Sequence, residues 1–502
     1  MRCELDWIKS RARLFPKDRA VVDSATRMEW TFEDINNRAE KLAAYLLEMG
    51  VKRGDRVALF APNDISYFDF LFACMKSGAI FVPVNWRLSE EEVEYILEDA
   101  TPTVVGVHDS QATLVEKKKD YVIVPITNAA YVDGLETSVK TVDQMGTESE
   151  PLAMIYTGGT TGKPKGAILT YDSIRWNALN TIVSWNLCKE DTTLTCLPMF
   201  HTGGLNALSL PVLMAGGTVV VSKVFEAEQA VNDLIQYNCT IALFVPTMYH
   251  MMIRTEAFRR ATFDSMNVFL SGGAPCPLTI YRAFHQKGLQ FKEGYGLTEA
   301  GPNNFFIHPD EAVKKPGSVG RAMVFNDVKI VKDDGGECPA GEVGELLLRG
   351  QHVFSFYWNN PEATQESLQN GWLHTGDLAR QDKDGFFYIV GRKKEMIITG
   401  GENVFPLEIE HWLSSLEGVN EVAIVGLSDN KWGEVVTAFV SLHSTSSLTE
   451  EDLREHCALK LSRYKIPKAF HIIDELPKTH VGKIDKKALQ ANDVNQSSSH
   501  HS

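Results

Sequence analysis

Along most of the chain, short runs of Val, Ile, Leu and Ala alternate with stretches whose apolar residues recur every three or four positions. One such stretch is plainly helical. Ile35, Ala39, Leu42, Ala43 and Leu46 follow Thr31-Phe-Glu-Asp34, which has the form of a capping box, and Gly50 ends the segment. Residues 57–60, closed by Pro62-Asn63, read as a buried strand, and further strands are predicted at 79–84, 104–107, 153–156, 219–221, 241–245 and 268–270. Strands this rich in Val and Ile, separated by helices, predict α/β architecture with parallel sheets.

After about residue 315 the rhythm changes. Strand patterns at 329–331, 345–348 and 387–390 sit among glycine-rich turns, which predicts a β-rich subdomain. From Arg392 a smaller unit follows, with helices at 408–416 and 450–461 and strands at 422–425 and 438–442. The expected fold is α/β. A large N-terminal region over 1–391 holds two α/β sheet subdomains plus the β-rich one; a small mobile α+β domain follows over 392–490, then a disordered polar tail over 491–502.

Composition sharpens this picture. The length of 502 residues corresponds to roughly three units of about 150 residues. With 44% apolar and 23% charged residues, the chain is of globular type, which excludes disordered, collagen-like and coiled-coil classes. Lys plus Arg number 50 and Asp plus Glu 65, a formal charge of −15, so a surface that tracks a nucleic-acid backbone is not expected. A local basic patch remains compatible with that balance. Residues 460–487 form one, and Arg463 and Lys465 within it are expected to face the phosphates of a nucleotide. The eight cysteines, Cys3, Cys74, Cys188, Cys196, Cys239, Cys276, Cys338 and Cys457, include no C-x-x-C pair and read as reduced thiols. No secretory segment opens the chain, and the apolar stretch at 205–221 is broken by Pro211 and Gly216-Gly217. A cytoplasmic protein without a membrane-spanning helix is the expectation.

Candidate chemistry lies in five loops. The first, Tyr156-Thr-Gly-Gly-Thr-Thr-Gly-Lys-Pro-Lys-Gly166, directly follows a predicted strand and offers backbone N–H groups, hydroxyls and two lysines, the chemistry of a polyphosphate cradle. It is not a P-loop: Thr157 stands where the first glycine belongs, and Pro164 replaces the metal-binding hydroxyl. Gly294-Tyr-Gly296 is likewise no dinucleotide fingerprint, because Glu299 holds the third glycine's place. The second loop, Glu293-Gly-Tyr-Gly-Leu-Thr-Glu-Ala-Gly-Pro302, combines a flat aromatic, a hydroxyl and a carboxylate. The third, Gly371-Trp-Leu-His-Thr-Gly-Asp377, ends in a carboxylate suited to a ribose diol. The fourth spans Gly391-Arg-Lys-Lys-Glu-Met-Ile-Ile-Thr-Gly-Gly-Glu-Asn-Val-Phe-Pro406, and the fifth Pro477-Lys-Thr-His-Val-Gly-Lys-Ile-Asp-Lys-Lys487. Singly, each also fits an ordinary structural turn; their order and shared nucleotide logic carry the argument.

These five segments, in this order, resemble the adenylate-forming acyl-CoA synthetases over about residues 10–490, most of all the short bacterial fatty-acyl-CoA synthetases. The resemblance implies ATP, Mg²⁺ and coenzyme A as cofactor and co-substrates. It places Thr157, Gly158, Gly159, Thr160, Thr161, Gly162, Lys163 and Lys165 around the β- and γ-phosphates of ATP. It stacks Tyr295 on the adenine within Glu293-Gly294-Tyr295-Gly296, with Gly273, Ala274, Pro275 and Ile389 in the same pocket. Thr298 would contact the α-phosphate, Glu299 would hold Mg²⁺, and Asp377 would bind the ribose hydroxyls with help from Arg392. Lys394 matches the family hinge, and Lys483 the lysine that reaches the reacting carboxylate. Gly400 and Gly401 would let the pantetheine arm approach. His201, in Pro198-Met-Phe-His-Thr-Gly-Gly204, is assigned to substrate binding, and Thr247, Met248, 271–273 and Pro302-Asn303 to the acyl pocket.

Two departures stand out. Gly158 occupies a position where the family usually has Ser, so one hydroxyl contact to phosphate is missing. Glu293 replaces the usual Gln or Asn and is expected to accept from the adenine amino group. The implied reaction joins a carboxylate to ATP as acyl-adenylate with release of pyrophosphate, then passes the acyl group to coenzyme A with release of AMP. No Ser-His-Asp order or G-x-S-x-G elbow suggests a protein nucleophile. A medium- or long-chain fatty acid is the expected substrate, in a monomer or homodimer, with peripheral membrane contact left open by a lipid substrate. The alternatives are an aryl-acid or succinylbenzoate-type ligase, an adenylation enzyme loading a separate carrier protein, and a degenerate acyl- or nucleotide-binding protein.

Overall fold

The computed structural model describes residues 5–112, 121–138, 142, 145–158, 163–429, 431–478 and 484–491. The capping box is present as read: the Thr31 side chain accepts from Asp34 N, the Asp34 carboxylate accepts from Thr31 N, and the helix runs Phe32–Glu48.

Two seven-stranded sheets carry the N-terminal region. The first runs, in spatial order, Phe291–Glu293, Val268–Ser271, Ile241–Phe244, Thr192–Thr195, Thr218–Val221, Arg19–Asp23 and Glu29–Thr31. All its neighbours are parallel except the last pair. The second runs Phe356–Tyr357, Lys165–Thr170, Pro151–Thr157, Ile80–Val84, Arg56–Phe60, Val104–His108 and Val122–Ile126. Its middle is parallel, as the Val- and Ile-rich runs predict, but Pro151–Thr157 and Lys165–Thr170 form an antiparallel hairpin. Thr157 and Lys165, which flank the glycine- and threonine-rich segment, are thus paired across the open end of this hairpin.

Helix Ser66–Ser77 is buried at all twelve positions, which explains why it shows no amphipathic period. Its two charges are met inside: Asp69 accepts from Arg38 and Tyr131, and Lys76 donates to Asp6 and Asn36. Asn63, just after strand Arg56–Phe60, donates to Leu197 O and accepts from Met199 N, so it sutures the two sheets.

Residues 327–392 form the β-rich antiparallel sheet, with Trp372–Gln381 at its centre between Val343–Arg349 and Phe387–Arg392. The next strand, Ile397–Thr399, pairs in a different sheet with Glu402–Val404 and Gly433–Leu442, so the change of sheet falls at the single turn Lys393–Glu395. The last domain packs helices Pro406–Leu413 and Glu450–Ala458 on that sheet. Lys465, Lys478 and Lys486 of its basic segment are paired with Glu408, Glu421 and Glu410 of the same domain; Arg463 is exposed. Of the pair expected to face phosphate, Lys465 is therefore committed elsewhere. The seven described cysteines are all free thiols. Among the described residues no helix is long and apolar enough to cross a membrane. Of the expected tail only Ala491 is described; the rest lies outside the described residues.

Candidate active site

The hairpin end at Thr157 and Lys165, the loop at 294–304 and the central β-rich strand converge. Thr157, at the end of its strand, places Oγ1 3.4 Å from Glu299 Oε1, and Tyr357 donates to the same oxygen at 2.7 Å. Glu299 Oε2 receives no hydrogen bond, and no lysine or arginine forms an ion pair with Glu299, among the described residues. A buried carboxylate with one free oxygen beside two hydroxyls is a fit for Mg²⁺, which takes one or two protein carboxylates and completes its shell with phosphate and water. Lys165 Nζ stands 4.5 Å above the Tyr357 ring. Burial and the neighbouring Glu299 carboxylate push the Tyr357 hydroxyl well above its ordinary range, so it stays a donor. Tyr357 carries no motif signal; only its pairing beside Ala167 brings it here.

On the other side of the same loop, Tyr295 donates to Asp377 Oδ2, and Arg392 Nε lies 2.6 Å from Asp377 Oδ1. Asp377 and Arg392 face each other across adjacent strands, so residues far apart in sequence meet through sheet register. Burial works against the Arg392 charge, but Asp377, Tyr295, Glu395 and Glu299 together more than offset it and raise the pKa. Ile389 is half-buried against the same core. Thr298 is buried at the start of the turn Thr298–Ala300. Gly273, Ala274 and Pro275 form an exposed rim. Gly294 N donates to Ser271 O, and the Gly296 backbone lies directly on Pro302.

The structure does not bring Glu293 to that rim. Its Oε1 accepts from Cys276 N at 2.5 Å and its Oε2 from the Tyr281 hydroxyl at 2.8 Å, so both oxygens are committed behind the Gly273–Pro275 turn. Alternation along Phe291–Glu293 is the reason: residue 293 points to the helix side of the sheet, where Tyr281 stands. Burial pushes its pKa up to about 7. A raised carboxyl pKa contributes stability that is fully present below the unfolded value near 4.5 and is lost as pH rises through about 7. Glu293→Gln does not titrate, so between pH 4.5 and pH 8.5 its stability relative to the parent should improve by about 2–3 kcal/mol. Urea unfolding at the two pH values checks this; equal differences at both would count against it.

Asn303 is not open acyl-pocket lining either. Its Nδ2 donates to Thr181 Oγ1 and Ala207 O within a buried amide seam that includes Asn177, Asn180, Asn304 and Asn326. His201 caps the short helix Thr202–Leu205, its Nδ1 accepting from Gly203 N. Lys163 lies over Tyr95, and Gly158 is exposed with open space around it. Gly400 and Gly401 have φ of 60° and 86°, which the tight hairpin between Ile397–Thr399 and Glu402–Val404 requires by itself. Lys394 is exposed in the interdomain turn. Gly159, Thr160, Thr161, Gly162 and Lys483 lie outside the described residues.

Among the described residues, a small polar cluster joins the two domains. His250 Nε2 lies 3.2 Å from Asn420 Oδ1, Arg254 donates to Asn420 and contacts His443, and the His250 and His443 rings stack.

Residues 8–358 match the family model described as AMP-binding enzyme, and residues 408–483 the one described as AMP-binding enzyme C-terminal domain. The chain is 36% identical over 490 residues to a feruloyl-CoA synthase of Amycolatopsis sp, covering 96% of this chain and 97% of that one. It is 33% identical over 494 residues to a long-chain-fatty-acid–CoA ligase of Mycobacterium tuberculosis, covering 97% and 98%. The o-succinylbenzoate CoA synthetase of Bacillus subtilis, solved with its acyl-adenylate intermediate, superposes with a TM-score of 0.88 at 29% identity, covering 97% of this chain and 98% of that one.

Proposed function

The chain belongs to the AMP-binding enzyme family and is an adenylate-forming acid–CoA ligase, and from that premise we propose that its acid is an aryl-substituted alkanoate or propenoate. ATP, Mg²⁺ and coenzyme A are its co-substrates and cofactor. In this reading the hairpin tip at 157–165 takes the phosphates, Tyr295 and the 273–275 rim the adenine, and Asp377 with Arg392 the ribose. Glu299 would hold Mg²⁺, and the bound ion would supply charge neutralisation between two anionic reactants. Lys483 adds positive charge at the reacting carboxylate. The second step needs another surface over the same adenylate, and rotation about Lys394 supplies it; the small polar interface at His250, Arg254, Asn420 and His443 suits a domain that moves.

One observation carries the aryl assignment: the feruloyl-CoA synthase and an indoleacetate–CoA ligase are each 36% identical to this chain over 490 and 494 residues, against 33% for the long-chain-fatty-acid–CoA ligase. The fatty-acid reading is supported by the mycobacterial relative and is the second candidate. Pyrophosphate release measured with cinnamates, indoleacetate, octanoate and palmitate, with and without coenzyme A, separates them. An aryl acid should lead in kcat/KM by about ten-fold, some 1.4 kcal/mol; palmitate leading would reject the aryl reading.

Gly158→Ser supplies a smaller test of the phosphate cradle. A Cβ at Gly158 meets nothing within 4 Å among the described residues, which leaves room for the hydroxyl. One new hydrogen bond to phosphate, about 1 kcal/mol, should lower KM for ATP about five-fold and leave KM for the acid unchanged. Steady-state kinetics decide it; an unchanged KM for ATP would remove the tip from the phosphate site.

A further inference from the structure

Strand Phe356–Tyr357 pairs antiparallel with Lys165–Thr170, and Tyr357 stands opposite Ala167. Lys165 lies two residues before Ala167 on the same face of its strand, which makes it the diagonal neighbour of Tyr357. Its Nζ stands 4.5 Å from the centre of the Tyr357 ring. The hydroxyl of that ring donates to Glu299 Oε1 at 2.7 Å. Tyr357 is buried and firmly held. Its N donates to Thr364 Oγ1 at 2.9 Å, and Trp358 N donates to Gly166 O at 2.8 Å. The Phe354 ring packs on it at 4.7 Å, and Phe354 N donates to Glu299 O at 2.8 Å. Behind it, the Trp358 indole N–H donates to Asp99 O and the Tyr156 hydroxyl to the Asp99 carboxylate, so both strands are tied to the end of helix Glu90–Ala100.

One side chain thus carries a cation on its face and a carboxylate on its hydroxyl. A lysine and a glutamate that touch the same ring are within reach of each other, yet no ion pair joins them among the described residues. Such a pair would quench both groups, since the ammonium would be withdrawn from phosphate and the carboxylate from a metal. The ring prevents this at low cost, because an ammonium over an aromatic face is stabilised by the ring quadrupole. The hydroxyl meanwhile fixes one oxygen of Glu299 and leaves the other for a further partner. Burial and the Glu299 charge keep that hydroxyl protonated, so the bond does not depend on pH near neutrality.

We propose that Tyr357 is a positioning residue for adenylation: its hydroxyl aims Glu299 at Mg²⁺, and its ring keeps Lys165 apart from that carboxylate and available to phosphate. The assignment rests on the reading above that Glu299 holds Mg²⁺ and Lys165 meets phosphate, and not on the identity of the acid.

The test uses the full-length enzyme and an ATP analogue with a methylene bridge between the α- and β-phosphorus, its binding measured by calorimetry once with Mg²⁺ and once with EDTA. Tyr357→Phe keeps the ring and removes the hydroxyl. It should bind the analogue about ten-fold more weakly with Mg²⁺ and as well as the parent with EDTA, because only the bond that orients Glu299 is lost. The Mg²⁺ concentration for half-maximal pyrophosphate release should rise by a similar factor, while KM for the acid stays unchanged. Tyr357→Leu also removes the ring and lets Lys165 close on Glu299, so it should lose about ten-fold with EDTA as well. Tm, measured on both variants, separates a folding loss, which lowers both affinities in proportion, from a loss at the site. Equal losses with Mg²⁺ and EDTA in Tyr357→Phe, or no loss in either, overturn the role of the hydroxyl while the Mg²⁺ site stands. Parent-like binding of Tyr357→Leu with EDTA overturns the role of the ring. A parent whose affinity is the same with Mg²⁺ and with EDTA overturns the placement of Mg²⁺ at Glu299, and this inference with it.

Discussion

Asp377→Ala is expected to lower kcat/KM for ATP by about 10²–10³-fold, or 3–4 kcal/mol, while Tm falls by little. Asp377 is 4% exposed and receives both the Tyr295 hydroxyl and the Arg392 guanidinium. A carboxylate held at two points is already oriented for a diol, so removing it takes away charge-assisted hydrogen bonds worth about 1.5–3 kcal/mol each. The folding cost is smaller, because the Arg392 side chain is 45% exposed and rehydrates when its partner is gone. Asp377→Asn keeps the shape and loses the charge, and about a ten-fold loss is expected there. ATP–pyrophosphate exchange beside thermal unfolding separates the two effects. An alanine variant within three-fold of the parent would remove Asp377 from the nucleotide site.

The second large effect comes from one hydrogen atom's worth of space. At Gly296 a Cβ would overlap the Pro302 carbonyl oxygen and carbon, with the Pro302 Cα at 2.7 Å, still inside contact distance. These are backbone atoms, and they are held: Asn304 N donates to Tyr295 O and Asn303 N to Gly301 O. Gly296→Ala must therefore open the loop rather than displace a flexible side chain, at a cost of about 3 kcal/mol or more. The same loop carries Tyr295, Thr298 and Glu299, so pyrophosphate release should fall at least about 10²-fold even in the folded fraction. Tm and release are measured together on the purified variant. A variant matching the parent in both would mean that the loop is not closed as described.

Much of the site was legible because its elements are local. A glycine- and threonine-rich tip with two lysines, a Gly-Tyr-Gly segment ending in Thr-Glu, and an aspartate after Thr-Gly each state their chemistry within a dozen residues. The capping box at Thr31 and Asp34 and the strands at 57–60 and 153–156 were legible for the same reason. What local pattern did not show were partners set by register. Tyr357 reaches Glu299 only because Phe356–Tyr357 adds an antiparallel edge to strand Lys165–Thr170. Helix Ser66–Ser77 has no polar face, so its sequence has no helical period to read.

Glu293 and Lys292 mark the division between the two kinds of information. From sequence Glu293 promises an acceptor for adenine, and Lys292 carries no motif signal. By itself the sequence determined the order of sheets and loops and the chemical groups each loop carries, since these follow from hydrophobic period and turn chemistry over short spans. Only the tertiary structure decided which of those groups are already satisfied. Tyr281 and Cys276 occupy both oxygens of Glu293, Tyr295 and Arg392 orient Asp377, and Lys292 is left between two rings. Satisfaction of a buried polar atom depends on side chains brought in by other strands, and strand pairing is a property of the whole fold.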